Sequence, residues 1–290
     1  MNPIKPFISV LNALHVESKH GGANEKNQWD SRPAIVLMVS ALCLLLLNYL
    51  KYNTVFNATL EKGFELFADN PVDALYALKS QTFFPLLSQA WWSFLHVITF
   101  VLIPLFVIKK VLKEPLSHYG LGFGDLKRDY KWYLLLVSPI LFFVFLVSFR
   151  EDFTSHYPFY NLAYRSWADL IAWEVLYLLQ FFCVEFFFRG FIIQACRPTF
   201  GVNAIFVMIV PYLMLHFGKP WLEATGAILF GLFLGVLAFR SRSIWGGVMV
   251  HISIALSMIL LRCYKLRVCR SNGCHSRFSL ILIKLYHPML

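Results

Sequence analysis

The sequence predicts an all-α fold, a polytopic transmembrane helical bundle of about seven spans, with eight as the alternative. Three observations support this prediction. Of the 290 residues, 58% are hydrophobic and only 14% are charged, whereas a soluble domain carries about 25% charged residues. The mean hydropathy is +0.61. Phe and Trp are abundant, with 29 and 8 copies, and lipid-facing helices and interfacial belts accommodate such an excess.

Apolar runs recur along the chain at roughly the length that a membrane-spanning helix needs, which is about 20 residues. The first, fifth and sixth runs are shorter than this. In chain order, the candidate spans are 34–50, 84–108, 132–149, 167–188, 203–217, 223–239 and 244–261. We therefore expect a transmembrane domain over 34–261, preceded by a polar N-terminal segment, 1–33, that lacks the pattern of a cleavable signal peptide.

The charges of the connecting loops predict an orientation. Loop 51–82 carries three basic and four acidic residues, whereas loop 109–131 carries six basic and three acidic residues. Basic residues are retained on the cytoplasmic side, so loop 109–131 and the N-terminus are expected to be cytoplasmic. The sequence thus predicts a multi-pass protein of the cell membrane, or of the inner membrane in a bacterial host.

The formal net charge of +10 does not indicate a nucleic-acid partner. The basic residues lie in short loops between apolar runs, where they act as topology signals and contact anionic lipid. A nucleic-acid-binding protein would instead present a basic stripe on a soluble domain. Membrane lipid is therefore the expected partner of these charges.

The C-terminal tail, 262–290, does not fit the seven-span scheme. It carries six basic residues, no acidic residue and three of the six cysteines, at Cys263, Cys269 and Cys274. Seven spans would place all six basic residues outside. Two interpretations remain open: the tail is of doubtful origin because the reading frame changes near Arg262, or it is a native basic tail on an eight-span or re-entrant arrangement.

Gly231 and Gly235 form a GxxxG pattern in the sixth run. This spacing clears one face of a helix and predicts close packing against a neighbouring helix.

Ionisable residues inside predicted spans are candidates for function, because burying them in a bilayer is costly. In the fourth run, Glu185 and Arg189 are four residues apart and so share a helix face, where the guanidinium can pair with the carboxylate and fix its rotamer. The pair is placed near the inner end of the predicted span. A purely structural ion pair is the alternative interpretation.

Two histidines in later segments complete the candidate site. His216 ends the fifth run just before a Gly/Pro break, and His251 lies in the seventh run. With Glu185, they supply one carboxylate and two imidazoles, which can activate a water molecule directly or by binding a metal ion. Each histidine could also be a helix–helix contact. His96 is expected to be structural and Glu174 to be interfacial.

The segment of the fourth run that contains Glu185 and Arg189 resembles a motif of the CPBP family of intramembrane endopeptidases. This family includes the CAAX prenyl endopeptidases and the bacteriocin-processing proteins, also called the Abi family. The motif is Glu-Glu-x3-Arg-Gly, and the chain reads Val184-Glu185-Phe-Phe-Phe-Arg189-Gly190. The resemblance covers roughly 167–261, about a third of the chain.

Two further motifs of the family are matched downstream. An aromatic residue, three residues and a histidine appear as Tyr212 to His216. The third motif is a histidine followed four positions later by a polar residue, and its histidine is matched by His251. The chain departs from the family at two positions. The first Glu of the pair, which the family uses to activate water, is Val184 here, and the polar residue of the oxyanion site is Ala255.

The resemblance implies a membrane-embedded endopeptidase that cleaves a membrane-associated protein or peptide. Glu185 would activate water, His216 would assist, His251 would stabilise the oxyanion and Arg189 would hold Glu185. In a second variant, Glu185, His216 and His251 would bind Zn²⁺. A catalytically inactive relative that binds a peptide or partner, as an immunity-like protein would, is the alternative, and a small-solute transporter is a third hypothesis.

Overall fold

The computed structural model describes residues 30–147, 160, 162, 165–219 and 221–271, without the side chains of Leu222 and of 262–271. The predictions about the polar N-terminus before residue 30, and about the cysteines and charges of the tail, lie outside these residues and side chains.

Within the described residues, the chain folds entirely into helices and connections. The long helices follow the predicted apolar runs, and two further helices lie between the first two runs. In chain order, the helices are α1 (Arg32–Leu50), α2 (Asn53–Phe64), α3 (Pro71–Lys79), α4 (Phe84–Leu112), α5 (Leu126–Val147), α6 (Trp167–Phe200), α7 (Asn203–Met214), α8 (Trp221–Ser241) and α9 (Trp245–Ser271).

Five helices among the described residues, α1, α4, α5, α6 and α8, are long and apolar enough to cross a membrane. The apolar part of α9, Trp245–Leu261, and the 12-residue α7 are shorter. At about 1.5 Å per residue, α7 is too short to cross a hydrocarbon core of about 30 Å. The prediction of an all-α polytopic membrane bundle is confirmed.

Three elements differ from the predicted runs. The loop 51–82 contains two helices, and the side chain of Asn70 caps the second by accepting hydrogen bonds from Val72 N and Asp73 N. Helix α9 continues past residue 261 to Ser271. Helix α6 continues past residue 188 to Phe200, so Glu185 lies near the middle of the helix and not near its end.

The core of the bundle surrounds the second half of α6. The segment Phe186–Ile192 is a π-helical stretch in which every residue is buried. Its aromatic rings pack against α4, where Phe100 and Phe187 stack with centroids 4.2 Å apart. Apart from Arg189, which pairs with Glu185, the segment is apolar on all sides, and such a helix can be enclosed by other helices.

Helices α7 and α8 approach closely at Gly231 and Gly235. A Cβ atom at Gly231 would lie 2.8 Å from Cδ1 of Tyr212, and one at Gly235 would lie 2.8 Å from Cγ2 of Ile205. Neither position has room for a side chain, so the prediction of close packing from GxxxG is confirmed.

The connection between α4 and α5 contacts α6 at Gly190 and the start of α9. The backbone carbonyl of Tyr119 lies so close to Gly190 that a Cβ atom there would be 2.8 Å from it. Ile244 N donates a hydrogen bond to Gly120 O at 3.0 Å, and Trp245 Nε1 donates to Leu121 O at 2.8 Å. This connection fixes the start of α9 beside the motif segment of α6.

Candidate active site in the bundle interior

Glu185 is the centre of a buried polar cluster. Its side chain is 0% exposed, and Oε1 lies 3.1 Å from Nη1 of Arg189 and 3.3 Å from Nε2 of His251. The carboxylate therefore connects a residue one turn along its own helix with a residue on α9. The ion pair predicted from the four-residue spacing is present.

Arg189 lies inside the π-helical stretch and is also fully buried. Its guanidinium carbon is 4.2 Å from the centroid of the Tyr212 ring, a distance at which a cation is attracted to the face of an aromatic ring. Phe188 also contacts this ring in a T-shaped arrangement, with centroids 5.2 Å apart. Arg189 thus links Glu185 on α6 to Tyr212 on α7.

His251 is held by two aromatic rings. Phe181, one turn before Glu185, stacks on the imidazole with centroids 5.0 Å apart, and Phe230 of α8 meets it edge-on at 5.2 Å. These contacts restrict rotation of the imidazole and keep Nε2 directed at the carboxylate. Three helices therefore cooperate to place one nitrogen atom.

His216 joins the cluster through Tyr212. Nδ1–H of His216 donates a hydrogen bond to the backbone carbonyl of Tyr212 at 3.0 Å, since a carbonyl can only accept. The rings of Tyr212 and His216 lie 4.9 Å apart. This hydrogen bond fixes the tautomer, so Nε2 of His216 carries the lone pair that can accept a proton or bind a metal.

His216 does not touch Glu185 directly, since no ion pair between them exists among the described side chains. The described residues also contain no group of three His, Cys, Asp or Glu side chains arranged to hold a metal ion. In this conformation, Glu185 and His251 are brought together, and His216 lies beyond Tyr212. The three residues do not fit a zinc site in this arrangement.

Several polar atoms of the cluster are buried and have no hydrogen-bond partner among the described residues. They are Oε1 and Oε2 of Glu185, all three guanidinium nitrogens of Arg189 and Nε2 of His251. Buried polar groups are nearly always hydrogen-bonded to protein or to water. The cluster thus offers donors and acceptors to a polar molecule in the bundle interior.

The two positions that depart from the family pattern are apolar in their surroundings as well. Val184 is half-buried and packs against the main hydrophobic core. Ala255 is 2% exposed, one turn after His251 on α9. Neither position supplies a polar atom to the cluster.

The other ionisable residues singled out from the sequence lie outside this cluster. His96 is buried between the rings of Trp92 and Phe100 and donates Nδ1–H to Trp92 O at 2.9 Å, as a structural histidine would. Glu174 lies three turns before Glu185 on α6, with both carboxylate oxygens buried. Glu223 pairs with Lys219 at 3.3 Å.

Sequence reasoning missed two glycines that shape the site. A Cβ atom at Gly247 would lie 2.6 Å from Cδ of Glu185 and would overlap Oε2, and one at Gly246 would overlap the ring of Tyr133 from α5. The Gly-Gly pair four residues before His251 was the available signal. Only the folded structure shows that Gly247, and not Gly246, faces Glu185.

A second polar cluster lies outside the spans, at the end of α4. Glu114 accepts a hydrogen bond from the Tyr119 hydroxyl at 2.5 Å and pairs with Arg32 of α1 at 2.7 Å. Burial raises the pKa of Glu114, whereas the Tyr119 hydrogen bond and the charge of Arg32 lower it. The lowering effects are together larger, so the pKa lies below its ordinary value of 4.5. This carboxylate joins α1 to the connection that contacts Gly190.

Comparison with known proteins agrees with the motifs. Residues 165–257 match the family model described as Rce1-like, type II CAAX prenyl endopeptidase. Neither a search of curated proteins nor a search of solved structures gave a match. The matched segment contains Glu185, Arg189, His216 and His251. About a third of the chain, residues 165–257, is therefore similar to the Rce1-like, type II CAAX prenyl endopeptidase model, in agreement with the CPBP motifs.

Proposed function

We propose that the protein is a membrane-embedded endopeptidase of CPBP type, which hydrolyses a peptide bond of a membrane-associated protein or peptide. The observation that supports this most directly is the 3.3 Å approach of Nε2 of His251 to Oε1 of Glu185. A carboxylate and an imidazole from separate helices meet there in a buried site, within a domain that matches a peptidase family.

The reaction in this proposal begins with a water molecule between Glu185 and the scissile carbonyl. Glu185 takes a proton from the water, and the water oxygen forms a bond to the carbonyl carbon. The resulting oxyanion is stabilised by the imidazole of His251, in a water-poor site where such a contact is strong. The carbon–nitrogen bond then breaks as the proton passes from Glu185 to the leaving amine.

The other two residues prepare the site. Arg189 holds the Glu185 carboxylate by the 3.1 Å ion pair. His216 presents a nitrogen lone pair, because its other nitrogen is bound to Tyr212 O. His216 would assist by accepting a proton in a step that follows the attack of the water molecule.

The zinc variant would bring Glu185, His216 and His251 together around Zn²⁺, which would then lower the pKa of a bound water. The conformation of the described residues does not support this variant, because no three of their His, Cys, Asp or Glu side chains are arranged to hold a metal ion. Removal of metal from the purified protein tests it: activity that survives in a fully demetallated sample eliminates the variant.

A non-catalytic relative that binds a peptide or partner protein is the second candidate. Val184 and Ala255, which replace the family's acid and oxyanion donor, favour it. The complete burial of Glu185 favours it as well. In this case, the native chain would lack activity, and Val184→Glu would create it.

Replacement of Glu185 by Gln tests the proposal. Cells would express the native chain, Glu185→Gln or the matched control Glu65→Gln, at an exposed position directly after α2, at equal abundance. Proteolytic termini of membrane proteins would then be compared. Termini that appear with the native chain and with Glu65→Gln, but not with Glu185→Gln, would establish a peptidase and its substrate. Identical termini in all three, with folded protein, would favour the binding role.

We also propose a multi-pass arrangement in the cell membrane with a cytoplasmic N-terminus. Asp129 is buried beside Arg240, 3.2 Å from its Nε, so the loop 109–131 and the end of α8 lie at the same end of the bundle. That end collects the basic residues expected inside. Labelling of single cysteines introduced at exposed Lys127 and exposed Lys62 tests the orientation: reagent added outside intact cells should reach only position 62.

A further inference from the structure

The first turn of α9 forms the surface on which the Glu185 carboxylate rests. A Cβ atom at Gly247 would lie 2.6 Å from Cδ of Glu185, 3.2 Å from Oε1 and closer still to Oε2. Contacts under 3.0 Å are essentially never made by real Cβ atoms. Glu185 is 0% exposed, and so it has no solvent-filled space into which it can move.

Gly247 and His251 are four residues apart and therefore lie on the same face of α9. The carboxylate rests against the first of these residues and reaches the second with Oε1, 3.3 Å from Nε2. A methyl group at position 247 would occupy the place of Oε2. The carboxylate would then have to leave the helix surface, and the contact with His251 would be lost.

Helix α9 itself cannot easily retreat from Glu185. On the adjacent position, Gly246 meets the ring of Tyr133 from α5 so closely that a Cβ atom would overlap it. Where the helix begins, Ile244 N and Trp245 Nε1 donate hydrogen bonds to the carbonyls of Gly120 and Leu121. The start of α9 is thus held by several contacts while Glu185 approaches it.

We propose that Gly247 is a positioning residue, which seats the Glu185 carboxylate directly on the backbone of α9 and so sets its distance to His251. The consequence for catalysis rests on the proposed function. The structural coupling between Gly247 and Glu185 does not.

A double-mutant cycle measures this coupling without any substrate. Gly247→Ala should lower the midpoint of thermal unfolding in detergent by about 5 °C, as overpacking of a buried site does. The matched control Gly226→Ala on α8, where a Cβ atom meets nothing within 4 Å, should leave the midpoint unchanged or slightly higher. Glu185→Asp shortens the acid by one methylene, so adding Gly247→Ala to it should cost much less than in the native background.

A neutral side chain of the same shape separates steric fit from charge. In Glu185→Gln, the amide occupies the volume of the carboxylate, so Gly247→Ala should remain as costly as in the native chain. Equal effects of Gly247→Ala in the native, Asp and Gln backgrounds would overturn the proposal. So would a native-like midpoint for Gly247→Ala itself.

The activity arm separates this proposal from the proposed function. If the native chain produces new termini, Gly247→Ala should abolish them at a temperature where the variant is folded, whereas Gly226→Ala should not. Retained cleavage by folded Gly247→Ala would contradict the positioning role. Coupling in the thermal cycle with no cleavage by the native chain would leave the positioning role intact and refute the peptidase.

Discussion

At the scale of single residues, the cluster is a short chain of contacts between unlike groups. The carboxylate of Glu185 contacts the Arg189 guanidinium, which faces the ring of Tyr212. The backbone carbonyl of Tyr212 accepts a hydrogen bond from Nδ1–H of His216. Removing one member leaves its neighbour buried without compensation. The free energy of unfolding should therefore respond to single changes more than to paired ones.

Arg189→Gln tests this dependence. It should lower the free energy of unfolding by about 3 kcal/mol, because an ionised partner of a buried pair is left alone. Adding Glu185→Gln should recover part of the loss, since both charges are then gone. Unfolding in mixed micelles measures both variants, with exposed Arg242→Gln as the control. A double variant less stable than Arg189→Gln would show that the pair does not act as a unit.

At the scale of elements, the close contact of α7 and α8 determines where the tyrosine of the cluster lies. Gly231 allows α8 to approach the face of Tyr212, whose other contacts are Arg189 and Phe188. The ring is therefore enclosed on several sides by three helices. A substitution on α8 that displaces this ring should therefore also disturb Arg189 in the site.

Gly231→Ala is expected to destabilise the fold by about 1–3 kcal/mol, the usual cost of overpacking. The added methyl group would lie 2.8 Å from Cδ1 of Tyr212, and this ring cannot yield easily because it also contacts Arg189 and Phe188. Chemical denaturation measures the effect. Gly226→Ala, five residues earlier on the same helix and facing open space, supplies the baseline, and equal stability of the two variants would contradict the argument.

The helices that the sequence predicted well are those whose apolar runs have the length of a bilayer. The continuation of α6 was not predictable in this way, because Gly190, Arg197 and Pro198 resemble a helix end. Burial of Phe186–Ile192 and the contact of Tyr119 O with Gly190 explain why the helix continues there. The ion pair followed from spacing alone, whereas the seat of Glu185 on Gly247 depends on how α6 and α9 are packed.

At the scale of the whole molecule, the Rce1-like segment is connected to the part of the chain that precedes it. Arg32 of α1 pairs with Glu114 after α4, and Tyr119, which donates to Glu114, places its carbonyl against Gly190. Asp129 and Arg240 join the start of α5 to the end of α8. The N-terminal helices thus support the position of the motif segment.

Acidification should weaken this support. The folded protein holds the pKa of Glu114 below 4.5, so the carboxylate contributes stability above its unfolded pKa, and this contribution is lost as the pH falls through the lower, folded value. Glu114→Gln should therefore flatten the acid limb of a plot of unfolding midpoint against pH where the pH falls below about 4.5. The exposed control Glu65→Gln should leave it unchanged. An acid limb of native steepness in Glu114→Gln would argue against this role.

The π-helical stretch gives the chain an unusual sensitivity to length. A π-helix accommodates its residues in wider turns than an α-helix, with hydrogen bonds from i to i+5, and Phe186–Ile192 is such a stretch between two α-helical halves of α6. Loss of a single codon there would convert wide turns to ordinary ones and rotate one half against the other by about 100°. Glu185 would then point away from His251 although every named side chain was still encoded. The orientation of Glu185 towards His251 therefore depends on the number of residues in the stretch as well as on their identity.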